Sequence, residues 1–347
     1  MVRDTADAFA RAVDAAGCDE RWLVVAGLGV RLRFAGPALV DRLLPALAHA
    51  VSDSRLDTGL TIDLFDSAST GIPFDCGIAP DERGGTADEA GGQWLIAADG
   101  LTAAFHGLSG VLSAIDSGGE RAFWWIEDAA QVPWFEQAAP MRTIFHWWLR
   151  RHGVQFLHAA AVETARGGVL LGGKGGSGKS TAALECAVNG LGYVADDYCL
   201  LAPGARPRIH GLFSTAKVPA ATAERFPRLV GALDAARRLD AAKAVYFLET
   251  HPGIRVSSGC EARALVFPRI VDRGGVRFTR LPPAQAYAAL APSTLFQLPG
   301  SSPDDARRIA DLVRRLPAFA AEIGPDIAEV PRALEELMAV TVSMVEQ

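Results

Sequence analysis

The sequence contains little cysteine and no long hydrophobic run. Only five of its 347 residues are cysteines, and no two of them form a CxxC pair. This usage argues against a thiolate zinc site and indicates a reducing compartment. The longest apolar stretches, residues 22–30 and 337–345, are about half the ~20 residues that a membrane-spanning helix needs. The N-terminal segment carries Asp4, Asp7 and Asp14 without an apolar h-region, so we expect a cytoplasmic protein with no signal peptide and no membrane partner.

An excess of positive charge is also absent. The chain carries 40 acidic and 34 basic side chains, a formal net charge of −6, which argues against binding nucleic acid through a general basic surface. Half of the residues are hydrophobic and 21% are charged, so the chain can bury a large core. At about 150 residues per domain, its length indicates roughly two domains.

The first part of the chain is predicted to be a mixed α+β module. A helical pattern over residues 5–16 places four apolar side chains on one face: Ala8, Phe9, Ala12 and Val13. Several short strand-like runs follow, up to residue 126. Pro133 and Pro140 then interrupt the pattern. We therefore expect a first domain at residues 1–138 and a second at residues 139–347.

The second domain contains a glycine-rich segment, GKGGSGKS at residues 173–180, that matches G-x-x-x-x-G-K-[ST] at every fixed position. An apolar strand is predicted before it and a helix after it, as in an α/β nucleotide-binding domain. Glycines let backbone N–H groups turn inward and hold phosphate oxygens, and the helix N-terminus adds partial positive charge. The pattern predicts that Lys179 meets the β- and γ-phosphates of ATP and that the Ser180 hydroxyl binds Mg²⁺. The residues predicted to bind the nucleotide are Gly173, Gly175, Gly176, Ser177, Gly178, Lys179, Ser180 and Thr181.

Two carboxylates end the next predicted strand. Residues 193–197 are YVADD, a short apolar run followed by Asp196 and Asp197. A carboxylate at the end of a strand beside a phosphate-binding loop suits Mg²⁺ coordination. With two, one can orient the metal or its waters while the other accepts a proton from an attacking hydroxyl. We predict Ser180, Asp196 and Asp197 as metal ligands; the alternative is an acidic turn without function.

Three further residues are weaker candidates. His158 lies in the apolar run of residues 156–162, predicted as one strand, where a histidine is usually a hydrogen-bonded core residue. Lys217 and Lys243 are candidates to meet phosphate or an acidic substrate, with a solvent-exposed lysine as the alternative for each. The segment at residues 292–300 is predicted to be a loop that either connects elements or lines the acceptor site.

Residues 158–197 resemble the HPr kinase/phosphorylase superfamily. The resemblance comprises the order and approximate spacing of four features: His158, the glycine loop, a helix ending near Gly190, and the Asp-Asp pair. It implies an α/β, P-loop fold akin to phosphoenolpyruvate carboxykinase in the C-terminal domain. The activity that it implies is the phosphorylation of a serine hydroxyl on a small carrier protein.

The resemblance also implies roles for individual residues. It makes Asp197 the general base, Lys179 and Ser180 the phosphate and Mg²⁺ ligands, and His158 an active-site partner of the base or of the phosphate. Residues 211–218, GLFSTAKV, depart from the family because they contain no carboxylate. The bifunctional enzymes carry a glutamate-containing loop in the comparable place. This departure favours a kinase without phosphorylase activity.

The N-terminal part does not match the N-terminal domain of the carrier-protein kinases. The chain is more similar to divergent kinase-like relatives found among proteobacteria and beside peptide-modification genes, some of which phosphorylate a serine of a ribosomally made peptide. We therefore expect an ATP- and Mg²⁺-dependent kinase acting on a hydroxyl, first of all a serine, of a peptide or small carrier protein. A small-molecule kinase, acting on free serine or a sugar-like hydroxyl, and a non-catalytic ATP-binding regulator stay open. The first domain is expected to recognise the acceptor or to mediate assembly, including a homo-oligomer.

Overall fold

The computed structural model describes residues 2–75, 93–98, 100–226, 243–297 and 302–345. The chain forms two compact units, Met1–His152 and Gly153–Gln347. The division between them lies later in the chain than the boundary that we expected after residue 138. Both units combine helices with mixed sheets. None of the helices in the described ranges has both the length and the apolar character needed to cross a bilayer.

The first unit is built on an eight-stranded sheet. Its helices are α1 (Val2–Ala16), α2 (Val40–Leu43), α3 (Ser67–Thr70), α4 (Trp134–Ala138) and α5 (Arg142–Arg151). Its strands are β1 (Cys18–Val25), β2 (Leu28–Ala35), β3 (Val51–Ser52), β4 (Leu60–Asp66), β5 (Gln93–Ala98), β6 (Leu101–His106), β7 (Val111–Asp116) and β8 (Arg121–Ile126). The strand order is β3-β1-β2-β4-β8-β7-β6-β5, with parallel pairing at β2-β4 and β4-β8. This architecture is the mixed α and β module that the strand-like runs predict.

Helix α1 of the first unit confirms the predicted apolar face. Ala8, Phe9 and Ala12 are each at most 2% exposed, and they share a core cluster with residues of the sheet. Val13 is partly buried against the same cluster. The face that the helical spacing predicts is therefore the one by which α1 packs against the sheet.

The second unit contains the predicted site. Its helices are α6 (Lys179–Val188), α7 (Ala220–Ala223), α8 (Pro283–Leu295), α9 (Pro303–Arg315) and α10 (Val330–Val345). Its strands are β9 (Gln155–Leu157), β10 (Ala160–Thr164), β11 (Gly167–Leu171), β12 (Gly192–Ala195), β13 (Cys199–Ala202), β14 (Arg208–Gly211), β15 (Thr215–Pro219), β16 (Lys243–Phe247), β17 (Cys260–Ile270), β18 (Val276–Leu281) and β19 (Ala318–Ile323). Nine of these strands form a sheet in the order β12-β10-β11-β17-β14-β13-β9, with β19 also on β17 and β18 on β19. Strands β15 and β16 form a separate hairpin.

The large sheet of the second unit is buried on both faces. In β11, Val169 and Leu171 belong to one core cluster and Leu170 to another, because successive side chains of a strand point to opposite faces. Residues of α6 and α10 complete the first cluster, and residues of α8 and α9 complete the second. Strands β11, β17 and β19 run parallel. The carboxyl end of β11 leads directly into the glycine loop and α6.

Two of our predictions about local structure are wrong. The apolar run at residues 156–162 forms two strands, β9 and β10, with a bend at His158 between them. Strand β9 pairs with β13, whereas β10 pairs with β11 and β12, so the run must break to serve both neighbours. The predicted loop at residues 292–300 begins inside α8, which continues through Pro292 to Leu295. Residues 298–300 lie outside the described part of the chain.

Candidate functional site

The glycine loop at residues 173–180 connects the end of β11 to the start of α6. Gly173, Gly176 and Gly178 have φ angles of 122°, 77° and 99°, values that side chains other than glycine rarely allow. A Cβ atom built on Gly175 or Gly176 would meet no atom of the described residues within 4 Å. The first N–H groups of a helix have no partner within the helix. The loop is therefore unobstructed beside Gly175 and Gly176, next to the positive end of α6, where an anion is favoured.

Lys179 is held inside this loop. Its side chain is buried, and Nζ donates hydrogen bonds to the carbonyl oxygens of Gly173 and Lys174, at 2.8 and 3.1 Å. The pKa of Lys179 is lowered, because the effect of burial outweighs the raising effects of the nearby Asp197 and Asp196. The buried hydroxyl oxygen of Ser177 has no hydrogen-bond partner among the described residues. A buried polar atom of this kind is normally satisfied by a ligand or an ordered water.

Ser180 and Asp196 meet at the start of α6. The Ser180 hydroxyl donates a hydrogen bond to Oδ1 of Asp196 at 2.7 Å, and the backbone N–H of Lys217 donates to Oδ2 at 3.0 Å. Burial, and then the neighbouring Asp197, raise the pKa of Asp196 to about 6, while Lys217 and Ser180 act in the opposite direction. Both carboxylate oxygens are therefore fixed in place by groups from two different elements.

The oxygen atoms of Ser180 and Asp196 fit a Mg²⁺ ion. In the described ranges, no group of three or more His, Cys, Asp and Glu side chains is arranged to hold a metal. Mg²⁺ does not need one, because it commonly binds one or two carboxylates together with substrate phosphates and waters. Of the three predicted ligands, Ser180 and Asp196 are in direct contact, whereas Asp197 contacts Lys217 and His158.

Asp197 lies in a tight turn after β12. Its φ is 64°, in the left-handed region, and the N–H of Tyr198 donates to the carbonyl oxygen of Asp196 at 2.8 Å. Asp and Asn adopt this region more readily than most residues, because their short polar side chains bond locally. The turn separates the two carboxylates: Asp196 is 3% exposed, and the side chain of Asp197 is 22% exposed. The side chain of Asp197 is therefore the more accessible of the two carboxylates.

Lys217, on β15, is the partner of Asp197. Its Nζ lies 2.5 Å from Oδ2 of Asp197, with a side chain only 9% exposed. Burial alone would lower the pKa of Lys217, but Asp197, Tyr198 and Asp196 outweigh it and raise the pKa. The ammonium group also lies 5.3 Å from the centre of the Tyr198 ring. Lys217 is therefore a buried cation and not a solvent-exposed lysine.

A hydrogen bond between β12 and β15 positions this ion pair. The hydroxyl of Tyr193, which is fully buried, donates to the carbonyl oxygen of Thr215 at 2.6 Å. Tyr193 lies on β12, which the two carboxylates follow, and Thr215 lies two residues before Lys217 on β15. The hydrogen bond therefore ties the strand that leads to the carboxylates to the strand that carries Lys217.

His158 approaches Asp197 from the other side. Its Nε2 lies 3.9 Å from Oδ1 of Asp197, and its Nδ1 is hydrogen-bonded to Oε1 of Gln297. Its backbone N–H donates to the hydroxyl of Thr294 at 3.1 Å. Burial lowers the pKa of His158, against the raising effect of Asp197 and Gln297. The imidazole is therefore held neutral at neutral pH.

The remaining predicted residues are placed as follows. Thr181 is the third residue of α6, directly after the glycine loop. Lys243 begins β16 and is in register with Pro219, whereas Lys217 is in register with Val245. The side chain of Lys243 lies outside the described part of the structure.

Sequence reasoning missed three residues near the site: Tyr198, Thr294 and Gln297. Tyr198 follows the two carboxylates directly, but no pattern assigned it a partner. Gln297 is 139 positions away from His158 in the sequence. The signal for Thr294 and Gln297 was the polar character of residues 292–300, a segment that the sequence predicts either to connect elements or to line the acceptor site.

No family model matches this chain, and no curated protein matches it. Among solved structures, the HPr(Ser) kinase/phosphatase from Coxiella burnetii is similar to this chain over 55% of the chain and 93% of its own length. The sequence identity is 13% and the TM-score is 0.33. A TM-score of this size does not establish a shared fold, so function must be argued from the geometry of the site.

Proposed function

We propose that the second unit is an ATP-dependent phosphotransferase that phosphorylates a hydroxyl group. One observation carries the proposal: Ser180 of the glycine loop is hydrogen-bonded to Asp196, and the charges of Asp197 and Asp196 lie close enough to Lys179 to act on its pKa. Ser180 contacts Asp196, and the turn that follows presents Asp197 to His158 and Lys217. A phosphate-binding element and an accessible carboxylate thus meet in one place, which is the requirement of phosphoryl transfer.

The glycine loop provides the phosphate site. Lys179 now donates to two carbonyl oxygens of its own loop. Phosphate oxygens of ATP would replace them as partners of the ammonium group, together with the N–H groups at the start of α6. Ser180 and Asp196 would hold Mg²⁺, which neutralises charge on the β- and γ-phosphates when bound.

Asp197 provides the base. Its Oδ2 is paired with Lys217 and its Oδ1 faces His158, so we take Oδ1 as the oxygen that accepts the proton of an incoming hydroxyl. As the hydroxyl oxygen bonds to the γ-phosphorus and the bond to the β-phosphate oxygen breaks, the hydroxyl proton passes to Asp197. A positioned base of this kind contributes about 10² to 10⁴ in rate. Charge stabilisation by Lys179 and the loop N–H groups contributes more.

We take the acceptor to be a serine of a peptide or small carrier protein, as the resemblance of residues 158–197 implies. Kinase activity without phosphorylase activity is proposed, because residues 211–218 contain no carboxylate. The partly exposed Asp197 is compatible with a peptide or with a small molecule, so the acceptor must be tested directly.

The test is incubation of the full chain with isotopically labelled ATP and three kinds of acceptor. These are peptides encoded by neighbouring genes, free serine, and a sugar alcohol, with products identified by mass spectrometry. We expect one labelled phosphoryl group on a serine of a peptide, and labelling that is at least about 100-fold slower with the Asp197→Asn variant. Labelled free serine or sugar alcohol would instead show a small-molecule kinase. Tight ATP binding with every acceptor unmodified would overturn the transferase and support a regulator.

A further inference from the structure

The carboxylate of Asp197 belongs to a closed ring of contacts between five side chains. On one side, Nδ1 of His158 contacts Oε1 of Gln297, and Nε2 of Gln297 donates to the Tyr198 hydroxyl at 3.2 Å. On the other side, the Tyr198 ring lies against the ammonium group of Lys217, which pairs with Asp197. The ring closes through the 3.9 Å separation between Nε2 of His158 and Oδ1 of Asp197. Gln297 and Tyr198 are the members to which the proposed chemistry does not yet assign a role.

The hydrogen bonds of Gln297 determine where the imidazole carries its hydrogen. The amide nitrogen of Gln297 donates to Tyr198, so the amide oxygen is the atom that faces His158. An amide oxygen can only accept a hydrogen bond. Nδ1 of His158 must therefore carry the hydrogen, and in the neutral ring Nε2 is left with a lone pair.

This arrangement explains the separation between His158 and Asp197. A separation of 3.9 Å is longer than a hydrogen bond, as expected when both atoms are acceptors. At this separation, a single oxygen atom can lie about 2.8 Å from both of them, within hydrogen-bond distance of each. Two acceptors that converge on one point select a donor, and a neutral hydroxyl is such a donor.

We propose that Gln297 is a positioning residue that fixes His158 as the Nδ1–H tautomer, so that Nε2 of His158 and Oδ1 of Asp197 together hold the acceptor hydroxyl. The role rests on the proposed function, because the hydroxyl is that of the phosphoryl acceptor. With the opposite tautomer, Nε2–H would donate directly to Asp197 and fill the place of the hydroxyl. The site therefore selects an O–H group through the orientation of one amide.

The first test measures the tautomer without any substrate. Histidine labelled with ¹⁵N in the full chain gives long-range ¹H–¹⁵N spectra that distinguish the two neutral tautomers, and a His158→Asn variant assigns the signal. We expect the Nδ1–H form in the wild-type protein. Gln297→Glu keeps an oxygen acceptor and should retain that form, whereas Gln297→Leu should lose it. An Nε2–H ring in the wild type, or an unchanged tautomer in Gln297→Leu, would overturn the proposal.

The second test measures transfer. Gln297→Leu should lower kcat by about 10- to 100-fold, the usual cost of losing the group that orients a histidine, with little change in the Kd of ATP. Gln297→Glu should restore much of the rate. The matched control is Gln285→Leu, which makes the same change at an exposed position in the first turn of α8 and should leave both values unchanged.

The two tests separate this inference from the proposed function. The expected tautomers without any phosphorylated acceptor would overturn the transferase and the hydroxyl site, while the role of Gln297 in orienting His158 would stand. Normal transfer by Gln297→Leu would overturn the inference alone.

Discussion

Lys217 and Asp197 form an ion pair with Nζ and Oδ2 2.5 Å apart, between side chains that are 9% and 22% exposed. The pair neutralises one oxygen of the carboxylate and leaves the other facing His158. The backbone N–H of Lys217 also holds Asp196. One residue of β15 therefore positions both carboxylates, the proposed metal ligand and the proposed base.

Loss of the Lys217 charge should impair both stability and rate. In Lys217→Met the ammonium group is lost and the apolar stem is kept, so Asp197 is left without its cation. We expect the free energy of unfolding to fall by about 2 kcal/mol, less than for a fully buried pair because Asp197 is partly exposed. We expect kcat to fall about 100-fold. Denaturant titration and steady-state kinetics measure the two effects.

Lys217→Arg is the matched control for the charge. It should retain most of the stability, but a planar guanidinium cannot reproduce the point contact of an ammonium group, so part of the rate should still be lost. Wild-type rates in Lys217→Met would place Lys217 outside the site.

Asp197→Asn tests the base. Asparagine also tolerates the left-handed backbone at this position, so the fold should be kept. Transfer should fall by at least about 100-fold because an amide cannot accept the proton. ATP affinity, measured by calorimetry, should stay near that of the wild type. A variant that keeps the wild-type rate would show that the base has been wrongly assigned.

Lys179→Ala tests the phosphate site. Removal of the ammonium group should weaken ATP binding and lower the rate together, because the same charge serves the bound nucleotide and the transition state. Lys174→Ala is the control: Lys174 is exposed and only its backbone carbonyl, which the variant keeps, contacts Lys179. Equal ATP affinities in the two variants would contradict the interpretation of the loop.

His106, in the first unit, predicts a pH dependence of stability. Burial lowers the pKa of His106 to about 4, while Glu136 raises it and Arg142 lowers it. The unfolded chain takes up a proton below pH 6.5, the ordinary value, whereas the folded unit resists protonation. The contribution of the buried, neutral His106 to stability is therefore complete above about pH 6.5. As the pH falls from there towards 4, the free energy of unfolding falls by about 3 kcal/mol.

The His106→Gln variant checks this assignment. Its amide can still bond to the hydroxyl of Thr143, which lies 3.2 Å from Nε2 of His106. Denaturant titrations from about pH 7 to pH 4 cover the range between the ordinary and the lowered pKa of His106. Over this range the free energy of unfolding should fall less in His106→Gln than in the wild type. Parallel losses in the two proteins would show that another group is responsible.

The sequence was sufficient for the parts of the site that depend on neighbouring residues. The glycine pattern, the strand before it and the helix after it follow from local spacing, and the structure contains all three as β11, the loop and α6. Asp196 and Asp197 end a strand as the apolar run before them predicts. The face of α1 also follows from spacing alone, because a period of 3.6 residues places Ala8 and Ala12 together.

The sequence was not sufficient where a partner comes from a distant part of the chain. A bend at His158, which an uninterrupted apolar run conceals, arises because β9 and β10 pair with different strands. The ion pair of Lys217 depends on how the β15–β16 hairpin lies against β12, and the contact of Gln297 depends on where α8 ends.

What the sequence by itself determined is a glycine loop between a strand and a helix, followed by two acids at the end of the next strand, because glycine conformations and strand ends are local properties. What only the tertiary structure decided is which acid is buried beside Ser180 and which is left accessible between an ammonium group and an imidazole. That choice is made by side chains from β15, the β9–β10 bend and the end of α8, and packing of a sheet on both faces is what brings such distant elements together.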